Sequence, residues 1–238
     1  MRLAGIKAVL FDLHGTLARK LPGADLATSL SSALLDLGVR AYLQKVRACL
    51  QYVIFVDYLA RRFRTYGEFL SLLLHRLGAS LPRDDLEGLE DSLRQQVLGG
   101  FHLYEDAVPA LRELRRRGYR TGIVTTTPKF MFERAIGEIA GLLDAIVTGY
   151  EAMCDKSDPA IYSYATSSLG IKPSQAVMVG NDPELDVRNP MRLGLRAVLL
   201  NRERRVEVVE EVLVISRLLE LLDILPSLAP TKVSSESP

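Results

Sequence analysis

The sequence predicts an α/β protein whose central parallel sheet is covered by helices on both faces. Three observations support this class. From Tyr104 onward, short apolar runs alternate with helical patterns, and this alternation implies right-handed crossovers between parallel strands. Ile6–Phe11 is an apolar run without polar alternation, which is typical of a strand buried on both faces. Between these regions, residues 24–99 carry only helical spacing, which indicates an inserted helical module.

Residues 1–20 and 101–230 are predicted to form one three-layer, Rossmann-like core domain. After Ile6–Phe11, the predicted strands are YRTGIVTTT, LLDAIVTG, SQAVMVG and LRAVLLN. The predicted helices are EDAVPALRELRRRG, PKFMFERAIGEIAG, DPAIYSYATSSLG, PELDVRNPMRLG and ISRLLELLDIL. Gly118 and Gly170 are predicted to end two of these helices, because glycine readily adopts the conformation that closes a helix.

Residues 21–100 are predicted to form an all-helical domain inserted after the first strand. Leu, Ala and Arg recur there at helical spacing, and the pattern is punctuated at Gly38, Gly67, Gly78 and Pro82. Residues 231–238 are polar and end in SSESP, a composition that predicts a disordered tail.

Composition excludes several classes of function. The net charge is +1 with 25% charged residues, which gives no reason to expect a nucleic-acid partner. The stretch YVIFVDYLA is too short to span a bilayer, which takes about 20 residues, and the amino-terminal apolar run ends too early for a signal peptide. Two widely separated cysteines favour a cytoplasmic protein without a disulfide framework. No pattern decides the oligomeric state.

Reactive side chains follow several of the predicted strands. Because the carboxyl ends of strands meet at one edge of an open α/β sheet, we expect these side chains on one rim. They are Asp12 and His14 after the first strand, Thr125, Thr126 and Thr127 after GIV, Lys156 before a helix, and Asn181, Asp182 and Asp186 after AVMVG.

This set of side chains suggests phosphoryl transfer. Crowded carboxylates repel one another, so a cation is normally needed to hold them ionised, and oxygen ligands suit Mg²⁺. A hydroxyl and a lysine beside that ion can neutralise the charge on a transferring phosphoryl group. An aspartate at the same place can act as the nucleophile.

Four motifs carry a resemblance to the haloacid dehalogenase (HAD) superfamily. FDLHGTL resembles its first motif, usually Asp-x-Asp-x-Thr after an apolar strand, and IVTTT resembles its second. KSDPAIY resembles the third motif and VGNDPELDV the fourth. All four occur in the family's order over most of the chain, and the helical insert resembles a C1-type cap of that family.

The resemblance implies a role for each matching residue. Asp12 would be the nucleophile, and Thr125 would bind the phosphoryl oxygens together with Thr126. Lys156 would neutralise charge on the nucleophile and the phosphate. Arg19, on the segment after the first motif, is a further candidate for substrate binding.

The same resemblance implies a Mg²⁺ site. Its ligands would be Asp12, the backbone carbonyl of His14, Asp182 as a direct ligand, and Asp186 as a further or alternative ligand. The carbonyl contact needs no particular side chain, so a histidine at position 14 leaves it intact.

His14 occupies the position at which family phosphatases have their general acid/base aspartate. An imidazole can transfer protons, and its reference pKa of about 6.5 suits the task. Positive charge from Mg²⁺ and Lys156 would favour the neutral ring, which is a poor acid for an alkoxide. The sequence therefore predicts slow turnover, or a preference for good leaving groups such as acyl or aryl phosphates.

Three hypotheses remain open at this stage. The first is a Mg²⁺-dependent phosphatase acting on a small phosphorylated metabolite through an aspartyl-phosphate on Asp12. The second is a carbon–halogen hydrolase like the 2-haloacid dehalogenases, which also lack the second aspartate; the pair Asp182 and Asp186 argues for a metal and against it. The third is a catalytically impaired protein that binds a ligand or has a regulatory role.

Overall fold

The computed structural model of the chain describes residues 3–20, 25–98, 100–202 and 212–228. Its strands are β1 (Ala8–Phe11), β2 (Ala18–Lys20), β3 (Phe101–Leu103), β4 (Arg120–Thr125), β5 (Ala145–Thr148), β6 (Ala176–Gly180), β7 (Arg196–Leu200) and β8 (Leu213–Ile215). Its α-helices are α1 (Leu26–Asp36), α2 (Leu43–Tyr52), α3 (Tyr66–Leu77), α4 (Arg83–Leu98), α5 (Ala107–Arg116), α6 (Lys129–Phe132), α7 (Gly149–Ala152), α8 (Ala160–Ser168), α9 (Asn189–Arg192) and α10 (Leu221–Ile224). π-Helical segments span Val53–Asp57 and Pro183–Arg188, and 3₁₀ turns span Gly137–Leu142, Pro173–Gln175 and Leu218–Glu220.

Six of the described strands form one parallel sheet in the order β5-β4-β1-β6-β7-β8. β1 lies inside the sheet because all four of its residues are apolar and can be buried on both faces. Val9 and Phe11 pack in one cluster with α5, whereas Ala8 and Leu10 pack in another with α8. Helices therefore cover both faces of the sheet, which confirms the predicted fold class.

The helices of the insert pack around a hydrophobic cluster of their own. Leu30, Val46, Leu73 and Leu93 are buried there and come from α1, α2, α3 and α4 in turn. No strand occurs between residues 25 and 98, as predicted. Helix α3 begins with a capping box in which Thr65 and Glu68 satisfy each other's backbone N–H groups. The domain limits drawn from the sequence stay a prediction, and the predicted tail at 231–238 lies outside the described residues.

No helix in the described part of the chain is both long and apolar enough to cross a membrane.

A short antiparallel ribbon joins the insert to the sheet, and the sequence analysis did not predict it. β2 pairs with β3, with Ala18 opposite Leu103 and Lys20 opposite Phe101. The chain enters the insert through β2 and leaves it through β3. Strands of three residues show too little periodicity to be recognised from sequence alone.

Three predicted helices differ from the structure. PKFMFERAIGEIAG forms the four-residue helix α6 and a separate 3₁₀ turn, because Gly137 and Gly141 weaken helix propagation. PELDVRNPMRLG is a π-helical segment followed by α9, which contains Pro190 and so lacks one backbone donor. ISRLLELLDIL does not form one helix: Leu213–Ile215 adds a strand beside β7, and only the part after it is helical.

Candidate active site

Asp12 and Lys156 form the centre of the site. The backbone N–H of Asp12 donates to the carbonyl of Val179 at 2.9 Å, so this aspartate continues β1 just beyond its last residue. Lys156 Nζ donates to Asp12 Oδ1 at 2.6 Å and also forms an ion pair with Asp186. All three side chains are buried. One ammonium thus holds two carboxylates that the sequence places 174 residues apart.

Asp12, Lys156 and Asp186 form the triad of this site, and their opposite charges stabilise one another. Burial alone would lower the pKa of Lys156, but the carboxylates of Asp12 and Asp186 outweigh it and raise that pKa. Burial raises the pKa of Asp186, and the charge of Lys156 opposes this rise. Lys156 is therefore an ammonium at neutral pH. Removal of Lys156 would leave the buried carboxylates of Asp12 and Asp186 without their counterion, which is strongly destabilising.

Thr125 lies at the same edge of the sheet. It is the last residue of β4, which pairs with β1, and its side chain is buried. Its Oγ1 accepts a hydrogen bond from the N–H of Thr127 at 3.3 Å. Thr126 is half-buried beside Gly149 at the end of β5. The predicted meeting of the first three motifs at one rim is therefore observed, whereas the binding roles of both threonines stay predictions.

Asp186 reaches the triad by folding back over the end of β6. Its Oδ2 accepts a hydrogen bond from the N–H of Asp182 at 3.0 Å. A Cβ built on Gly180 would lie 2.2 Å from the Asp186 carboxyl group, so only glycine leaves room at that position. The last residue of β6 thus decides whether Asp186 can contact Lys156.

One carboxylate oxygen of Asp182 caps the turn that follows β6. Its Oδ1 accepts hydrogen bonds from the N–H groups of Glu184 and Leu185, at 2.9 and 2.8 Å. This is the geometry of a helix N-cap, and it stabilises the π-helical segment that carries Asp186. Direct metal binding by Asp182 stays a prediction, in competition with this cap.

Asn181 is the side chain that faces the loop after β1, and the sequence analysis gave it no role. Thr16 Oγ1 donates to Asn181 Oδ1 at 3.3 Å. A Cβ on Gly15, whose φ is +79°, would lie 2.8 Å from Asn181 Nδ2. The sequence could have indicated Asn181 by its position, since it immediately follows β6 just as Asp12 immediately follows β1.

Comparison with known proteins assigns the chain to a family. The model of the haloacid dehalogenase-like hydrolases matches residues 6–188. The chain belongs to this family. The match includes the residues of all four motifs, so the triad of Asp12, Lys156 and Asp186 is the candidate centre of a hydrolase.

Relatives of this hydrolase include phosphatases and dehalogenases. It is 31% identical to a phosphoglycolate phosphatase of Rhodospirillum rubrum, over 82% of this chain and 79% of that protein. It is 26% identical to (S)-2-haloacid dehalogenase 1 of a Pseudomonas species, over 83% and 85% of the two chains. A phosphoserine phosphatase of Thermus thermophilus is 33% identical, but the match spans only 45% of this chain and 44% of that protein.

A solved structure of a HAD phosphatase from Thermococcus onnurineus superposes with a TM-score of 0.63 at 26% identity. The alignment covers 92% of this chain and 97% of that one, so the insert and the sheet are both included in the likeness.

In this haloacid dehalogenase-like hydrolase, His14 is exposed at the rim. Its ring packs edge-on against Phe101 of β3, with ring centroids 5.9 Å apart. Partial burial, and then the charge of Lys20, lower the pKa of His14. The expected neutral imidazole is thus supported, although Lys20 rather than Lys156 is the cation responsible. Its role in proton transfer stays a prediction.

Arg19 lies apart from the triad. Its guanidinium carbon is 6.0 Å from the ring centroid of Tyr104, and it lines a cavity of about 400 Å³ with Glu105, Asp106 and Arg202. Neither Asp12 nor Lys156 is among the described residues of that cavity. Substrate binding by Arg19 therefore stays a prediction.

The donor set fits Mg²⁺ in kind, because oxygen atoms predominate in it. The described residues contain no group of three His, Cys, Asp or Glu side chains that could hold a metal ion. Asp12 and Asp186 are joined through Lys156, and Asp182 is engaged as a cap. The described hydrogen bonds engage only Oδ1 of Asp12 and only Oδ1 of Asp182, and the amide of Asn181 and the carbonyl of His14 add neutral oxygens. Oxygen donors with few carboxylates suit Mg²⁺, which retains several waters.

Proposed function

We propose that this HAD-like hydrolase cleaves a phosphoric monoester of a small metabolite through an aspartyl-phosphate on Asp12. The observation that carries the proposal is the buried ammonium of Lys156, which lies 2.6 Å from Asp12 Oδ1. This contact fixes one carboxylate oxygen, and no hydrogen bond from the described residues engages Oδ2. Oδ2 is thus available to attack phosphorus.

The reaction has two displacement steps. Asp12 Oδ2 attacks phosphorus while the bond to the leaving oxygen breaks, and that oxygen takes the electron pair and a proton from protonated His14. Water then attacks phosphorus and gives a proton to His14, and the bond to Asp12 breaks. Orthophosphate leaves, and the carboxylate and the protonated ring are restored.

The surrounding residues bind the phosphoryl group. The ammonium of Lys156 and the hydroxyl of Thr125 neutralise and orient its oxygens. Mg²⁺ would be held by Asp12, by Asp182 or Asp186, and by neutral oxygens such as the His14 carbonyl, and it would supply additional positive charge for the phosphoryl oxygens. The helical insert selects the substrate and excludes water from the rim. Small phosphorylated metabolites suit a covered site better than phosphoproteins or nucleic acids do.

Asp12→Asn tests this function. We expect wild type to hydrolyse p-nitrophenyl phosphate and members of a phosphometabolite panel in the presence of Mg²⁺. Asp12→Asn should lower the rate at least a thousandfold, because an amide is not a competent nucleophile. The matched control is Asp36→Asn, which makes the same change on an exposed face of α1 and should leave the rate unaltered. Full activity of Asp12→Asn would refute the proposal.

Dehalogenation is a second candidate, favoured because the described residues contain no group of three His, Cys, Asp or Glu side chains that could hold a metal ion. The site holds Asp12 against Lys156 without a carboxylate cluster for a metal ion, and one relative is a 2-haloacid dehalogenase. Asp12 would then attack the halogen-bearing carbon, halide would leave with the bonding electrons, and water would hydrolyse the resulting ester. Halide release from 2-chloropropionate with EDTA present would favour this candidate over phosphatase activity.

A further inference from the structure

Arg202 joins several parts of the molecule just beyond the end of β7. Its NH2 donates to the carbonyl of Thr16 at 2.8 Å. Its two terminal nitrogens also bind Asp106 at 3.1 and 2.8 Å. The guanidinium carbon lies 3.9 Å from the ring centroid of Tyr104. One side chain thus contacts the turn after β1, the exit from β3 and the start of α5.

This arrangement is largely buried and specific to arginine. The side chains of Arg202 and Asp106 are only 15% and 7% exposed. Asp106 Oδ2 accepts a further hydrogen bond from the N–H of Leu218 at 2.8 Å, so its position is fixed from the carboxyl-terminal side. A planar fork can bind a carboxylate with two nitrogens and stack on an aromatic ring at once, which a lysine cannot do.

Thr16 connects Arg202 to the turn after β6. Its carbonyl accepts from Arg202, and its buried hydroxyl donates to Asn181 Oδ1 at 3.3 Å. The next residue, Leu17, accepts a backbone hydrogen bond from Tyr104 at 2.9 Å. The segment that enters the helical insert is therefore hydrogen-bonded to the segment that leaves it, and both contact Arg202.

We propose that Arg202 is a positioning residue: it fixes the turn that carries Asp12 and Thr16 and holds together the two strands through which the insert is attached. The proposal deepens the proposed function and rests on it for its kinetic consequence. Its structural consequence is slower amide hydrogen exchange in residues 12–20 and 101–106, and this does not depend on the substrate.

Three variants test the proposal. Arg202→Met removes the fork, the charge and the stacking. Arg202→Lys retains the charge near Asp106 but cannot make all the contacts. Arg217→Met is the matched control, because Arg217 lines the same cavity, whereas the described side-chain hydrogen bonds to Thr16 and Asp106 in that cavity come from Arg202. Each is compared with wild type by kcat, KM and amide hydrogen exchange.

We expect Arg202→Met to lower kcat for p-nitrophenyl phosphate at least tenfold and to change KM less than threefold, because the reacting groups lose their alignment. Exchange should accelerate at least tenfold in residues 12–20 and 101–106, and less than twofold in β4 and α8. Arg202→Lys should give intermediate values, and Arg217→Met should match wild type.

Unaltered or uniformly faster exchange would overturn the proposal. If Arg202→Met does not fold, the same comparison on Arg202→Lys and Asp106→Asn decides the question. If wild type proves inactive on every phosphate ester, the proposed function fails, whereas the exchange pattern still tests Arg202.

Discussion

At the scale of single residues, the proposed function makes His14 the group that decides which leaving groups the site can release. Partial burial and Lys20 lower its pKa below the ordinary value of 6.5. The neutral ring is therefore the main form at pH 7, and it can accept a proton from water. The protonated form, needed to protonate an alkoxide, becomes scarce as the pH rises through the lowered pKa. A bound cation would lower that pKa further, so the direction is the same with metal present.

His14→Gln should lower hydrolysis of alkyl phosphates about a hundredfold or more, since proton transfer contributes 10²–10⁴-fold. For aryl phosphates, whose leaving groups need no acid, the first displacement should change little, and the second, in which His14 accepts a proton from water, should slow. In wild type, kcat for an alkyl phosphate should fall as pH rises, with the midpoint of the fall below 6.5. In His14→Gln, kcat should not show this fall. His102→Gln, a change on the exposed face of β3, is the control. If kcat of His14→Gln still falls with rising pH, another group is responsible for the titration.

The substitutions Asn181→Asp and Asp182→Asn test which of the two side chains binds Mg²⁺. If Asn181 faces the ion, Asn181→Asp should strengthen Mg²⁺ binding at least tenfold, because it adds a charged ligand. Asp182→Asn should leave Mg²⁺ affinity nearly unchanged and lower the free energy of unfolding by at most about 1 kcal/mol, since asparagine is also a good N-cap. The measurement is the Mg²⁺-dependent rise in melting temperature. A large loss of Mg²⁺ affinity in Asp182→Asn would restore Asp182 as the direct ligand.

At the scale of elements, the end of β6 decides the geometry of the triad. Gly180→Ala should remove activity, because its Cβ would collide with the Asp186 carboxyl group that contacts Lys156. The control is Gly88→Ala in α4, where a Cβ meets nothing within 4 Å. That change should raise stability by up to about 1 kcal/mol and leave kcat unaltered. Normal activity of Gly180→Ala would mean that Asp186 is not needed beside Lys156.

The sequence predicted those elements whose pattern is long or uniformly apolar. β1 and β6 were found because buried parallel strands are apolar throughout, and β4 because it contains the short apolar run GIV. Helices α1–α4 were found because their apolar residues recur at helical spacing. β2, β3 and β8 were missed, since each has three residues and depends on a partner strand for its stability. Glycines and Pro190 divided predicted helices into shorter turns, which periodicity alone does not reveal.

At the scale of the whole molecule, Tyr58 joins the insert to the edge of the sheet. Its hydroxyl lies 2.8 Å from Thr148 Oγ1 and accepts from the N–H of Lys129 at 3.2 Å. Tyr58 and Thr148 are 2% and 0% exposed, so loss of the hydroxyl takes a hydrogen-bond partner from a buried oxygen. The contact links the carboxyl end of β5 and the start of α6 to the segment after α2.

Tyr58→Phe should lower the free energy of unfolding by about 1–3 kcal/mol and raise KM, because the insert is held less firmly over the rim. Chemical denaturation and steady-state kinetics provide the two readouts. Tyr42→Phe removes a hydroxyl from a side chain that is 75% exposed and should change neither value. A stability unaffected by Tyr58→Phe would show that these hydrogen bonds do not hold the insert.

The candidate site was predictable wherever chain position determines geometry. The ends of parallel strands meet at one edge, so the proximity of Asp12, Thr125 and Lys156 followed from the motif order. The choice between Asn181 and Asp182 depends on how one turn leaves β6, and neighbouring side chains in a turn point in different directions. The place of Arg19 depends on β2, which was not predicted. Arg202 lies in none of the four motifs, so no sequence pattern indicated its contacts.

The covalent intermediate tests the central claim most directly. Wild type is mixed with a rapidly cleaved aryl phosphate, quenched with acid during turnover, digested and mapped by mass spectrometry. We predict an acid-stable acyl phosphate on the peptide that contains Asp12, at Asp12 itself, and none in Asp12→Asn. Phosphate carried on another residue, or turnover without any phosphorylated peptide, would contradict the account.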